Sequence, residues 1–298
     1  MKIFIISAML PLLLLLSCNK PENYAVDTTN ESAQQVGENM ASLDESGGSS
    51  GGTLTSNEIK SYEKAFARLS NDVPTKSQTV ANFVFPMAHA TACNAATFST
   101  CAASKIVRDY TGCTTAGGGV MSGSTELTFS GSGTASCTIL LANDYVDRKP
   151  NFSTTGLRGA TFAVSATSTG QRTTRTGATT FTFSNAGVNR KFTTPKGNVL
   201  IDITTSTTSA INVTGNSRNT RTMSGGAMLI INNLTAVACS LTPTGIAWTA
   251  SCNCPTSGTW SGACTDSSTF SVAFSATCGQ TTVTQGGATS TVNMDRCQ

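Results

Sequence analysis

From Ser124 to the C-terminus, apolar residues recur at every second position in short runs. Leu127 and Phe129 alternate with Glu126 and Thr128, and Phe162, Val164 and Ala166 follow the same rhythm, as do Phe181 and Phe183. Val199, Ile201 and Ile203 bracket a polar set containing Asp202, and Ile211 and Val213 come next. Near the end, Phe270, Val272, Phe274, Ala276 and Cys278 share one face opposite Ser271, Ser275 and Thr277. Neighbouring side chains in a strand point to opposite faces, so this pattern describes antiparallel strands with one buried and one wet side. The abundance of threonine fits, because β-branched residues suit a pleated surface. Glycine-rich breaks at Gly117–Gly119, Gly225-Gly226 and Gly286-Gly287 read as turns. The predicted fold is mainly β: an antiparallel sandwich or curled meander, stapled by disulfides, with one N-terminal amphipathic helix. Aromatics make up only 6% of the chain, and the outward faces carry Thr, Ser and Asn, which argues against a barrel with a lipid-facing belt.

The chain has 11 cysteines. Setting Cys18 aside, an even set remains: Cys93, Cys101, Cys113 and Cys137, then, after a gap of about a hundred residues, Cys239, Cys252, Cys254, Cys264, Cys278 and Cys297. In an exported chain an even set reads as disulfides. Two bridges in the first group and three in the second is the simplest arrangement, with connectivity left open. Cys252 and Cys254, one residue apart, are expected to bond elsewhere rather than to each other. No Cys-x-x-Cys spacing occurs and His89 is the only histidine, so no metal site or cofactor motif is read.

The first residues supply the export signal. Met1 and Lys2 precede an apolar run from Ile3 to Leu16, shorter than the roughly 20 residues of a membrane-spanning helix. The run ends in Leu15-Leu16-Ser17-Cys18, which resembles the lipobox of bacterial lipoproteins. The resemblance covers those four residues. It implies a signal peptide over 1–17, cleavage before Cys18, a diacylglycerol on its sulfur and acylation of its new amine. Two or more chains anchor a protein stably where one does not. Asn19 is not the Asp that marks inner-membrane retention in enterobacteria-like sorting, so the resemblance points to the outer membrane, facing the periplasm or the cell surface.

Residues 18–56 are polar and acidic, include Gly47-Gly48-Ser49-Ser50-Gly51-Gly52, and read as a flexible tether with a reach of about 35 Å. A helix is predicted over 57–71. Thr55 and Glu58 form a capping box, and Ile59, Tyr62, Phe66 and Leu69 form its apolar stripe. It opens a disulfide-rich β domain over 57–298, with strands mainly in 124–298. The Ala-rich stretch from Thr91 to Ala103 fits a short helix or a loop.

Charge is unevenly distributed. Ten basic residues lie between Arg148 and Arg221, against Asp202 alone. Arg172, Arg175, Arg190, Lys191, Lys196, Arg218 and Arg221 fall mostly in or beside Gly/Asn turns. Gathered at one sheet end, they would form a cationic rim for an anionic envelope glycan or lipid. Poor aromatic interleaving excludes nucleic acid. Among catalytic candidates, Gly-x-Ser-x-Gly occurs only at Gly47–Gly52, without the strand-to-helix turn that the chemistry needs. Asp144 and Asp147 are the one close carboxylate pair, and His89 stands alone. The expectation is an envelope lipoprotein acting as a non-enzymatic binding or structural module, attached to the membrane through Cys18. The alternatives are a secreted glycan or peptide hydrolase using Asp144/Asp147 or His89, and a surface adhesion protein presenting Thr/Ser strands with Trp248 or Trp260.

Overall fold

A computed structural model describes residues 28–47, 64, 99–114, 118–132, 134–294 and 297. Among the described residues, the helix α1 (Thr28–Gly47) precedes sixteen strands joined in one antiparallel sheet. These are β1 (Lys105–Asp109), β2 (Val120–Ser130), β3 (Tyr145–Thr155), β4 (Thr161–Ala166), β5 (Gln171–Arg175), β6 (Thr180–Asn185), β7 (Val188–Thr193) and β8 (Val199–Ser209). They continue as β9 (Ile211–Thr214), β10 (Thr222–Ser224), β11 (Ala227–Asn232), β12 (Val237–Ala247), β13 (Ser257–Cys264), β14 (Thr269–Phe274), β15 (Gln280–Gln285) and β16 (Ala288–Asn293).

The register reduces these to a plain up-and-down meander. β4 and β5 pair with successive halves of the same edge of β3. They are one long strand interrupted at 167–170. β6–β7, β8–β9 and β10–β11 are interrupted in the same way, each half pairing with the matching half of its neighbour. The sheet therefore has twelve ladder positions, and a line of kinks crosses four adjacent ones. Glycine marks the line where a side chain will not fit. Gly170 has φ 68° and a Cβ there would collide with the Arg148 carbonyl, while Gly226 has φ 69° and would collide with that of Ala210.

Kinks let a sheet curl, and this one curls around α1. Strands as far apart in the meander as β3, β5, β8 and β15 all touch the helix. Glu31, Ala33, Gln34, Gln35, Val36, Gly37, Asn39 and Met40 are buried, a set that covers every side of the helix. Among the described residues, the edge strands β1 and β16 do not pair with each other.

The alternation predicted the buried face correctly: Phe162, Val164, Phe181, Phe183, Ile201, Ile203, Ile211, Val213, Phe270 and Val272 all lie in the core. The terminal run stops earlier than its pattern implies, because β14 ends at Phe274 and residues 275–279 turn. Bridges join Cys101–Cys137, Cys239–Cys264, Cys252–Cys278 and Cys254–Cys297, and Cys113 is also disulfide-bonded. The second group thus holds three internal bridges, and Cys252 and Cys254 bond elsewhere, as their spacing suggested. Cys93 lies outside the described residues.

One expectation needs correction. A polar tether over 18–56 does not hold for 28–47, which is helical and whose residues Glu31, Ala33, Gln34, Gln35, Val36, Asn39 and Met40 are buried. The predicted helix over 57–71 lies outside the described residues except for Lys64, which is helical. Residues 99–103 contain no helix.

Candidate functional site

Six of the seven cations proposed as a rim have separate local surroundings, and the seventh, Lys196, lies exposed in the turn at 194–198. Arg172, on the outer face of β5, donates from Nε and Nη2 to both oxygens of Asp147 at 2.7 and 2.8 Å, and its guanidinium lies 3.9 Å from the Tyr145 ring centre. That bidentate bond, with the Asp147 charge, raises the guanidinium's affinity for its proton. Arg175 donates to the carbonyls of Ala178 and Ile139 at 2.7 and 3.3 Å. Lys191, on β7, faces Asp202 at 3.6 Å. Burial pushes the Asp202 carboxyl up, but bonds from Asn233 and Asn189 and the Lys191 charge outweigh it and hold the group below its ordinary value. Arg190 and Arg221 point inward. They are 3% and 4% exposed and lie over Phe162 and Trp248. Arg218 is half-buried in the loop before β10. The structure therefore places two of the six in the interior and divides the rest between different branches of the sheet.

The carboxylate pair is divided too. Asp144 accepts from Ser132 N and Oγ at 2.9 and 2.7 Å and from the amides of Leu140 and Leu141 at 2.9 Å each. Four donors organise the loop between β2 and β3 and hold the carboxyl far below its ordinary value. Such a group is a poor proton donor or acceptor near neutrality. It also yields a prediction. A depressed pKa stabilises the fold above the ordinary value of 3.8 and loses that contribution as pH falls below it. Asp144→Asn, which turns an amide toward backbone donors, is expected to lower Tm at pH 7 and to flatten the acid limb of the Tm–pH curve. An unchanged curve would show that the four bonds do not hold the loop.

His89 and Cys18 lie outside the described residues. Trp248 and Trp260 are 4% and 0% exposed, so they do not present a surface aromatic. Among the described residues, no group of His, Cys, Asp and Glu is arranged to hold a metal, and no helix is long and apolar enough to cross a membrane.

What the structure does assemble is a buried polar chain across the kink line. Arg148 Nη1 donates to Gln171 Oε1 at 2.8 Å. Gln171 Nε2 and Asn185 Nδ2 both donate to Asn39 Oδ1, at 2.7 and 3.2 Å. Asn185 also reaches Thr205 Oγ1 at 3.3 Å, and Thr205 donates to Gln35 Oε1 at 3.4 Å. These side chains tie α1 to β3, β5, β6 and β8. The sequence carried a signal for them: Asn185 continues the inward set of Phe181 and Phe183, and Thr205 continues that of Ile201 and Ile203. A polar residue in step with a buried series asks for a buried partner.

A cleft of about 200 Å³ is lined by residues including Ser32, Ile230, Asn232, Val237, Phe270 and Gln285. Ligand pockets generally start near 300 Å³. No family model, curated protein or solved structure matches the chain.

Proposed function

We propose that the chain is an exported, lipid-anchored envelope protein whose stapled β body serves as a non-enzymatic binding or structural module, with an anionic surface component as its partner. The observation carrying this reading is the state of the cysteines. All nine among the described residues are in disulfides, which persist in oxidising compartments outside the cytosol. In a chain that opens with a short apolar run and Leu15-Leu16-Ser17-Cys18, that chemistry supports export followed by lipidation at Cys18. The candidate catalytic carboxylates are already committed to a loop and to an ion pair, which favours a module over a hydrolase.

The anchor is tested at one atom. Cys18→Ser is expected to move the mature protein from the membrane fraction to the soluble fraction, or to leave it as uncleaved precursor. Intact mass should show loss of the acyl groups carried by the parent. A variant that stays in the membrane with a mass differing from the parent only by the sulfur-to-oxygen exchange would overturn the reading.

A further inference from the structure

Burial of α1 changes where the anchor attaches. Were 18–56 all tether, the domain could stand up to roughly 130 Å from its lipid. The helix instead begins at Thr28, ten residues beyond Cys18, so the fixed body lies within about 35 Å of the anchor even at full extension. The helix also begins at one particular end of the sheet. Thr29 Oγ1 donates to Gln285 Oε1 at 2.6 Å, beside the turn at 286–287. The meander puts the turns at 156–160, 194–198, 233–236 and 265–268 at that same end.

Those turns have an unusual surface. Five large apolar side chains are exposed among the described residues. Three of them, Leu157 at 81%, Val120 at 51% and Leu234 at 48%, sit at the helix-entry end. Leu157 lies at the tip of the first turn and Leu234 at that of the third. Exposed Arg158 follows Leu157, and exposed Lys196 occupies the turn between them. Asp266, on the turn after β13, is the one carboxylate on these turns. Single exposed leucines are ordinary. Leucines on neighbouring tips, interleaved with cations and positioned by a short lead from a lipid-bearing residue, are the arrangement of a membrane-facing surface.

We propose that this end lies on the bilayer: Leu157 and Leu234 enter the headgroup layer, and Arg158 and Lys196 meet the phosphates of anionic lipid. The proposal rests in part on the Cys18 anchor, so its test leaves the lipid out. The chain from position 18, carrying Cys18→Ser and no acyl group, is sedimented with vesicles of phosphatidylethanolamine and phosphatidylglycerol and, separately, with phosphatidylcholine vesicles. Binding to the anionic vesicles is expected. Leu157→Asp with Leu234→Asp should weaken it about tenfold, and Arg158→Glu with Lys196→Glu should remove the preference for anionic lipid. Leu141→Asp, at the opposite end and 61% exposed in the parent, should leave it unchanged.

Leu157→Trp should place an indole that brominated lipid quenches and Leu141→Trp should not, with buried Trp248 and Trp260 as silent background. No vesicle binding by the unlipidated parent, or equal loss in the Leu141 variant, overturns the proposal. Vesicle binding alongside an unlipidated native protein would keep the surface and discard the anchor. Lipidation without vesicle binding would do the reverse.

Discussion

Asn39→Leu is expected to destabilise the protein by about 3–5 kcal/mol. The residue is 1% exposed, and its single carbonyl oxygen receives two amides, those of Gln171 and Asn185. Leucine has nothing to offer them. Each donor left buried without an acceptor costs about 1–3 kcal/mol, more than the net value of the bond itself. At roughly 2–4 °C per kcal/mol for a body of this size, Tm should fall by about 10 °C. Removing the other side of the network should recover part of the loss. Asn39→Leu combined with Gln171→Leu ought to be less harmful than the sum of the two, because the pair leaves fewer orphaned groups. A change below about 0.5 kcal/mol for Asn39→Leu alone, in thermal and urea unfolding, would mean that α1 is not docked as described.

That helix shows where sequence reasoning reached its limit. The strands read from alternation, β2, β4, β6, β8, β9 and β14, were legible because each carries its own evidence: Phe181 and Phe183 alternate with threonines whatever the rest of the chain does. Sulfur chemistry was equally local, since ten cysteines in an exported chain have few other uses. Residues 28–47 carry only Ala33, Val36, Met40, Ala41 and Leu43 as a thin apolar set among Glu, Gln, Asn and Ser. By composition alone they cannot bury enough apolar surface to order themselves. Their order comes instead from groups far away in sequence: Gln171, Asn185 and Thr205 face inward at the kinks and replace the water that Asn39 and Gln35 would lose. One local cue existed. Thr28-Thr29-Asn30-Glu31 has the same capping-box spacing as Thr55-Ser56-Asn57-Glu58. The cationic rim failed for a related reason. Periodicity gives a residue's face but not its partner, and Arg172 met Asp147 across the strands while Arg190 followed Val188 and Phe192 into the core.

The same docking makes the Cys254–Cys297 bridge the costliest disulfide to remove. It spans 43 residues, the longest separation among the four bridges described above. Opening a loop of that length is worth about 4 kcal/mol in the chain-entropy account. The bridge also sits on the helix. Cys254 Sγ is 3.9 Å from the Gly37 carbonyl oxygen, and a Cβ on Gly37 would come within 2.6 Å of Met294 Sδ, so α1 has no side chain where the C-terminal segment crosses it. Cys254→Ala with Cys297→Ala, chosen so that no hydroxyl is buried in place of sulfur, should therefore cost about 4 kcal/mol. That is a large share of the 5–15 kcal/mol typical of whole domains. Cys239–Cys264 closes a shorter loop, between residues already paired across β12 and β13, and offers a comparison. If both the Asn39 network and the C-terminal bridge hold α1, their losses must be non-additive: once either has freed the helix, removing the other has less left to undo. Unfolding of the two variants and their combination measures this directly. Strict additivity, or a loss under about 1 kcal/mol for the Cys254/Cys297 pair, would separate the bridge from the helix.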